Sequence, residues 1–138
     1  MRTVALGLVL VLAYGTAVHM VHLATAGFTP YPGLPGWLRI YFTALTVLDP
    51  LAAVLLAWRY RSGVVLTVTV LVSNSAANGY AKYATDPAGG VTAGRAGHAV
   101  ITVLAGVACA VAPAMWRSAG AAPSNAGTTC PWPCESPR

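Results

Sequence analysis

The chain has 138 residues, of which 57% are hydrophobic and only 8% charged, and its formal net charge is +5. A soluble domain carries about a quarter charged residues, so this composition argues against an ordinary soluble enzyme and for one domain housed in a membrane. The positive balance does not point to nucleic acid, because the basic residues stand singly at the ends of apolar runs and form no basic face.

About twenty apolar residues are needed to cross the hydrocarbon core as a helix, and four runs reach that length: roughly Thr3–Ala24, Leu38–Trp58, Val64–Ala81 and Gly97–Trp116. They are continuous rather than alternating, which predicts helices, each satisfying its own backbone hydrogen bonds, and not barrel strands. The fold expected is all-α: a four-helix transmembrane bundle over residues 1–117 with short loops, then an Ala/Gly/Ser/Pro-rich tail, 118–138, of disordered composition.

Span one carries His19 and His22 near its end. Residues three or four apart share a helix face, so the two imidazoles lie together with Gly15, Leu12 and Leu8. Arg2, the apolar run and Ala24-Thr-Ala26 also have the outline of a cleaved secretory signal, although the apolar segment is long for one. The loop Pro30-Tyr-Pro-Gly-Leu-Pro-Gly36 is dense in helix breakers.

Span two contains Asp49 near its middle, and a carboxylate at that depth costs about 2.5–3.5 kcal/mol on insertion scales. Such a residue needs a partner or a task. Pro50 has no N–H, so the carbonyl of Thr46 loses its helical donor; a kink and a free carbonyl are expected beside the acid. Arg59-Tyr-Arg-Ser-Gly63 reads as a tight turn into span three, where Asn74 and Asn78 share a face with Thr67, Leu71 and Ala81. After the loop Thr85-Asp-Pro-Ala-Gly-Gly90, His98 opens span four and shares a face with Thr102, Ala105 and Cys109.

The flanking charges set an orientation. Arg2, Arg59, Arg61 and Arg117 fall on one side, and Arg39, Lys82 and Arg95 on the other, which places both termini in the cytoplasm of a cell-membrane protein. Trp37, Tyr41, Tyr80 and Tyr83 are then expected at the outer interface; Trp58, Tyr60 and Trp116 belong to the inner one. On this topology His19, His22, Asp49, Asn74, Asn78 and His98 all fall in the outer half, on faces that also carry small residues. A polar pocket open to the outer side is the expected consequence.

Bland readings stand beside the sharp ones. Asp49 could handle a proton or a cation, or could hydrogen-bond Asn74, Asn78 or a histidine to pin helices. His19 and His22 could hold a metal or haem if Asp49 and His98 joined them, yet no diagnostic ligand spacing is present and no metal or cofactor is named by the sequence. The asparagines could simply bond helix to helix. Cys109 behaves as a small hydrophobe, and Cys130-Pro-Trp-Pro-Cys134 lacks the two-residue spacing of thioredoxin-like motifs.

Tyr41-Phe-Thr-Ala-Leu-Thr-Val-Leu-Asp-Pro-Leu51, followed by Val72-Ser-Asn-Ser-Ala-Ala-Asn78, resembles a group of small, uncharacterised four-span bacterial membrane proteins in which a Leu-Asp-Pro step precedes a Ser/Asn-rich third helix. The resemblance covers spans two and three and implies the same bundle and the same polar pair, but no activity. Position 74, where that group often has an acid, is Asn74 here. The span count is also similar to that of DoxX-like proteins.

The function expected is binding of a small amphipathic or lipid-like molecule, with Asp49, Asn74 and Asn78 at its polar end and His19 and His22 at the mouth. The alternatives are a redox or proton-transfer subunit, and an accessory subunit whose polar faces pair with another membrane protein. A homodimer of bundles is compatible with each.

Overall fold

A computed structural model describes residues 2–27, 31–58, 61–84, 90 and 92–119. The expectations for the tail, for Cys130 and Cys134, for Arg59 and Tyr60, and for most of the Thr85–Gly90 loop lie outside these residues. Four helices account for nearly all of the described chain: α1 Arg2–Ala26, α2 Gly36–Ala57, α3 Arg61–Tyr83 and α4 Ala93–Ser118, with no strand among the described residues. At 22 to 26 residues they are roughly 33–39 Å long. All four are long and apolar enough to cross a membrane.

α1, α3 and α4 overrun at both ends the spans read from hydropathy, because an apolar count stops at the first polar residue and a helix does not; α2 starts two residues early and ends at Ala57, one short of Trp58. The largest difference is at α4, which begins at Ala93 rather than near Gly97. There the Thr92 side chain accepts a hydrogen bond from the Arg95 N–H at 3.2 Å, satisfying one of the donors that a helix start leaves open. α2 follows Pro35, whose carbonyl accepts from the N–H groups of Leu38 and Arg39, and it continues through Pro50 without interruption. α4 likewise runs through Pro113.

Packing is sequential: α1 lies along α2, α2 along α3 and α3 along α4, while the remaining helix pairs barely touch. α2 and α3 approach closely at Gly63, where a Cβ would collide with the backbone of Leu55 and Leu56. α2 and α3 therefore form the inner pair and carry most of the core. On α2 the buried stripe is Leu38, Phe42, Leu45, Asp49, Ala52, Ala53 and Leu56, recurring every three or four residues. α3 adds Val64, Thr67, Val70, Leu71, Ala77 and Ala81. α1 buries only Leu8 and Leu12; α4 buries Ala105, Ala108 and Met115.

The outward faces are apolar too. Leu6, Leu10, Val47, Val65 and Val103 are each more than half exposed. A soluble monomer does not carry so much contiguous apolar surface, whereas a surface of this kind suits contact with lipid chains.

Candidate functional site

The polar residues singled out in the sequence lie on or beside the buried stripes, where hydrogen bonds and ring contacts join them to different neighbours. Three separate groups result.

The first joins α1 to α2. Asp49 is 2% exposed, although it is ionisable and sits in mid-helix. Its carboxylate is seated on Gly15 of α1: a Cβ at position 15 would stand 2.7 Å from Oδ2. Glycine is thus what lets α1 approach this acid. Nε2 of His19 lies 3.9 Å from the same Oδ2, beyond hydrogen-bond reach but close enough for a charged imidazole to pair with the carboxylate. Among the described residues no other cation-capable side chain pairs with Asp49, and its carboxylate accepts no hydrogen bond from them.

His19 is held from its other nitrogen. Nδ1 lies 2.8 Å from the Tyr31 hydroxyl, and the ring stacks on Phe42 with centroids 6.1 Å apart. An ionised carboxylate only accepts, so the Nε2–H tautomer is the one that suits Asp49, and Nδ1 then accepts from the Tyr31 hydroxyl, an assignment made from the hydrogen-bond network. Tyr31 was not among the residues expected here; in sequence it is one tyrosine in a proline-rich loop. Its backbone is unusual, with φ of +60° in a non-glycine residue immediately before Pro32. Sterics disfavour this for any side chain, and a following proline disfavours it further. The ring contacts to His19, His22 and Phe42 and the hydroxyl bond hold it there. His22 itself is exposed and reaches this group only through Tyr31.

The second group lies on α3. The Asn78 side-chain amide donates to the Asn74 carboxamide oxygen at 2.7 Å and to its backbone carbonyl at 3.0 Å, so the two asparagines are linked along one helix. Among the described residues no hydrogen bond links either to Asp49, His19 or His22. The helix-to-helix bonds run instead through neighbours that sequence reasoning passed over. The Tyr41 hydroxyl meets Ser73 at 2.7 Å between α2 and α3, so Tyr41 is an interior fastener rather than simply an interface aromatic. Ser75 meets Thr102 at 2.8 Å between α3 and α4. The signal for both was present as hydroxyls on the faces flanking Asn74.

The third group lies on the α3–α4 seam. His98 sits over Gly79, where a Cβ would be 3.1 Å from Cε1, and meets the edge of Tyr83 at 5.5 Å. Nδ1 is buried without a hydrogen-bond partner. His98 does not join His19 and Asp49, and no three His, Cys, Asp or Glu side chains gather into a metal-binding group among the described residues. The arrangement in which Asp49 and His98 complete a histidine-held metal is therefore not formed.

A cavity of about 340 Å³ lies at the opposite end of the bundle, between α1 and α4, which barely touch. Ala5 and Val9 of α1, Leu56 of α2, Val64 of α3 and Met115 of α4 line it, with Arg2 at its edge. No protein-family model, curated protein or solved structure matches the chain.

Proposed function

We propose that this chain is an integral membrane protein that binds a small amphipathic molecule within the bilayer. The supporting observation is the apolar cavity at the Arg2 end. It is bounded by all four helices, falls within the range of about 300–1,000 Å³ usual for ligand sites, and has a charged residue at its edge. The distribution of basic residues supports an orientation with this end at the cytoplasmic face of the cell membrane. The seat proposed thus differs from the polar faces singled out in the sequence, whose polar residues are not among those lining this cavity. Native mass spectrometry from mild detergent tests the reading: a discrete added mass supports it, and a bare protein under conditions that preserve lipid adducts on other membrane proteins opposes it.

The Tyr31–His19–Asp49 array favours a second reading, proton transfer. A phenol, an imidazole and a buried carboxylate run in series from the α1–α2 loop to mid-helix. Proteoliposomes with an entrapped pH indicator test it. Equal proton flux in wild type and Asp49→Asn would rule it out.

A further inference from the structure

We infer that the cavity at the Arg2 end selects a single-chain bilayer amphiphile with an anionic head, its chain held between α1 and α4 and its head beside the Arg2 guanidinium. The inference rests on the amphiphile-binding reading and adds the chemical class.

Size limits the occupant first. About 340 Å³ is at the small end of ligand cavities, so the site holds one chain and not two. Access comes second. α1 and α4 scarcely touch, so a chain can enter sideways from the membrane without parting a packed seam. The third step concerns selectivity. Lipid tails are as apolar as leucine, so moving a chain from bilayer to cavity gains little from the hydrophobic effect. Discrimination must then come from the head.

The head meets positive charge. Arg2 edges the cavity. Arg61 stands next to it, its Nε donating at 3.2 Å to the carbonyl of Ala119, a lining residue, and its guanidinium lying 5.3 Å from the centre of the Trp116 ring. Arg117 lies in the last turn of α4. The sole carboxylate among the described residues is Asp49, two turns deeper on α2 than Leu56 and committed to Gly15 and His19. No described acid competes with an anionic head at this end. A guanidinium is planar and forks its donors, which matches a carboxylate or phosphate. Anionic lipids are abundant in the leaflet toward which basic flanks are oriented.

The test compares two probes with one chain and different heads, palmitate and its uncharged alcohol hexadecanol, added to the detergent-solubilised full-length protein and read by native mass spectrometry. Wild type is expected to retain palmitate over hexadecanol. Arg2→Gln is expected to weaken palmitate retention about fivefold, the upper range of an exposed ion pair, with hexadecanol unchanged. Val9→Trp, which fills the cavity, should lose both; Ala5→Phe serves the same purpose if the first variant lacks wild-type helix content by circular dichroism. If wild type and Arg2→Gln hold the two probes equally while Val9→Trp holds neither, the cavity binds chains but the anionic inference falls. If the filled variants retain both probes, the cavity reading itself falls. If wild type holds neither, both fall.

Discussion

Toward the Tyr31 end, the helices meet through polar side chains: His19 beside Asp49 between α1 and α2, Tyr41 bonded to Ser73 between α2 and α3, and Ser75 bonded to Thr102 between α3 and α4. At the Arg2 end the same helices face one another mostly through alanine, valine and leucine, and a cavity of about 340 Å³ opens between them. The difference follows from what the bilayer rewards. Apolar side chains lose nothing by facing lipid, so an apolar seam closes only where its shapes fit. Polar side chains at that depth lose a great deal unless they meet one another, so they draw helices together. One end is consequently joined by hydrogen bonds, and the other is left with room.

The sharpest way to break this comparison is at Gly15. Leucine there would press its Cβ against the Asp49 carboxylate, 2.7 Å from Oδ2. Overpacking of this kind costs about 2–3 kcal/mol. Gly7, on the same helix toward the Arg2 end, has no neighbour within 4 Å of its ideal Cβ position. Gly7→Leu should therefore leave stability within about 0.5 kcal/mol. Denaturation midpoints of both variants in one detergent decide the matter: equal losses would mean that the Tyr31 end is no more tightly fastened than the other.

Asp49 itself comes next. Its carboxylate is buried and accepts no hydrogen bond among the described residues, with only His19 at 3.9 Å. A polar group in that position is expected to burden the fold, so Asp49→Leu should raise stability by about 1–2 kcal/mol. A rise would mark the acid as kept for a task at the expense of stability. A fall of similar size would instead make it the chief fastener of α1 to α2. Tyr31→Phe separates the same alternatives more gently. It removes one hydrogen bond to His19 and keeps the ring, for an expected loss of about 1 kcal/mol in the same denaturation measurement.

The fold was legible because it follows from a one-dimensional property. Runs such as Thr3–Ala24 state their own length and hydropathy, and a helix is the available solution for each. The shortfalls at the ends were local: only the Thr92 side chain, accepting from Arg95, reveals why α4 starts at Ala93. The site was harder to read, because spans do not give helix order. Asp49 and His19 did prove to be neighbours, and Gly15, placed on the His19 face by its spacing, is what admits the acid. Asn74 and Asn78 were credited to the same pocket because they share a depth with it; depth is visible in sequence and azimuth is not. Tyr31 was missed because a loop residue advertises nothing until the loop folds back, and the cavity was missed because it depends on how four helices are spaced, which spans do not state.

The least of the expected effects tests whether the fasteners share their load. Ser75→Ala removes the bond to Thr102, and Tyr41→Phe removes the bond to Ser73. Hydrogen bonds between membrane helices average about 0.6 kcal/mol, because a separated helix finds other partners. Ser73 illustrates the point, since its hydroxyl already donates to the Thr69 carbonyl at 2.7 Å within α3. Thr102 likewise has the His98 carbonyl at 2.9 Å. Each loss should then be about 0.6 kcal/mol, and the double variant should show their sum, because the two bonds lie on different seams of α3. A loss in the double variant well beyond the sum would mean that the two seams move as one unit. The fastened end would then be a single cooperative network, and α3, which carries both serines, would be its axis.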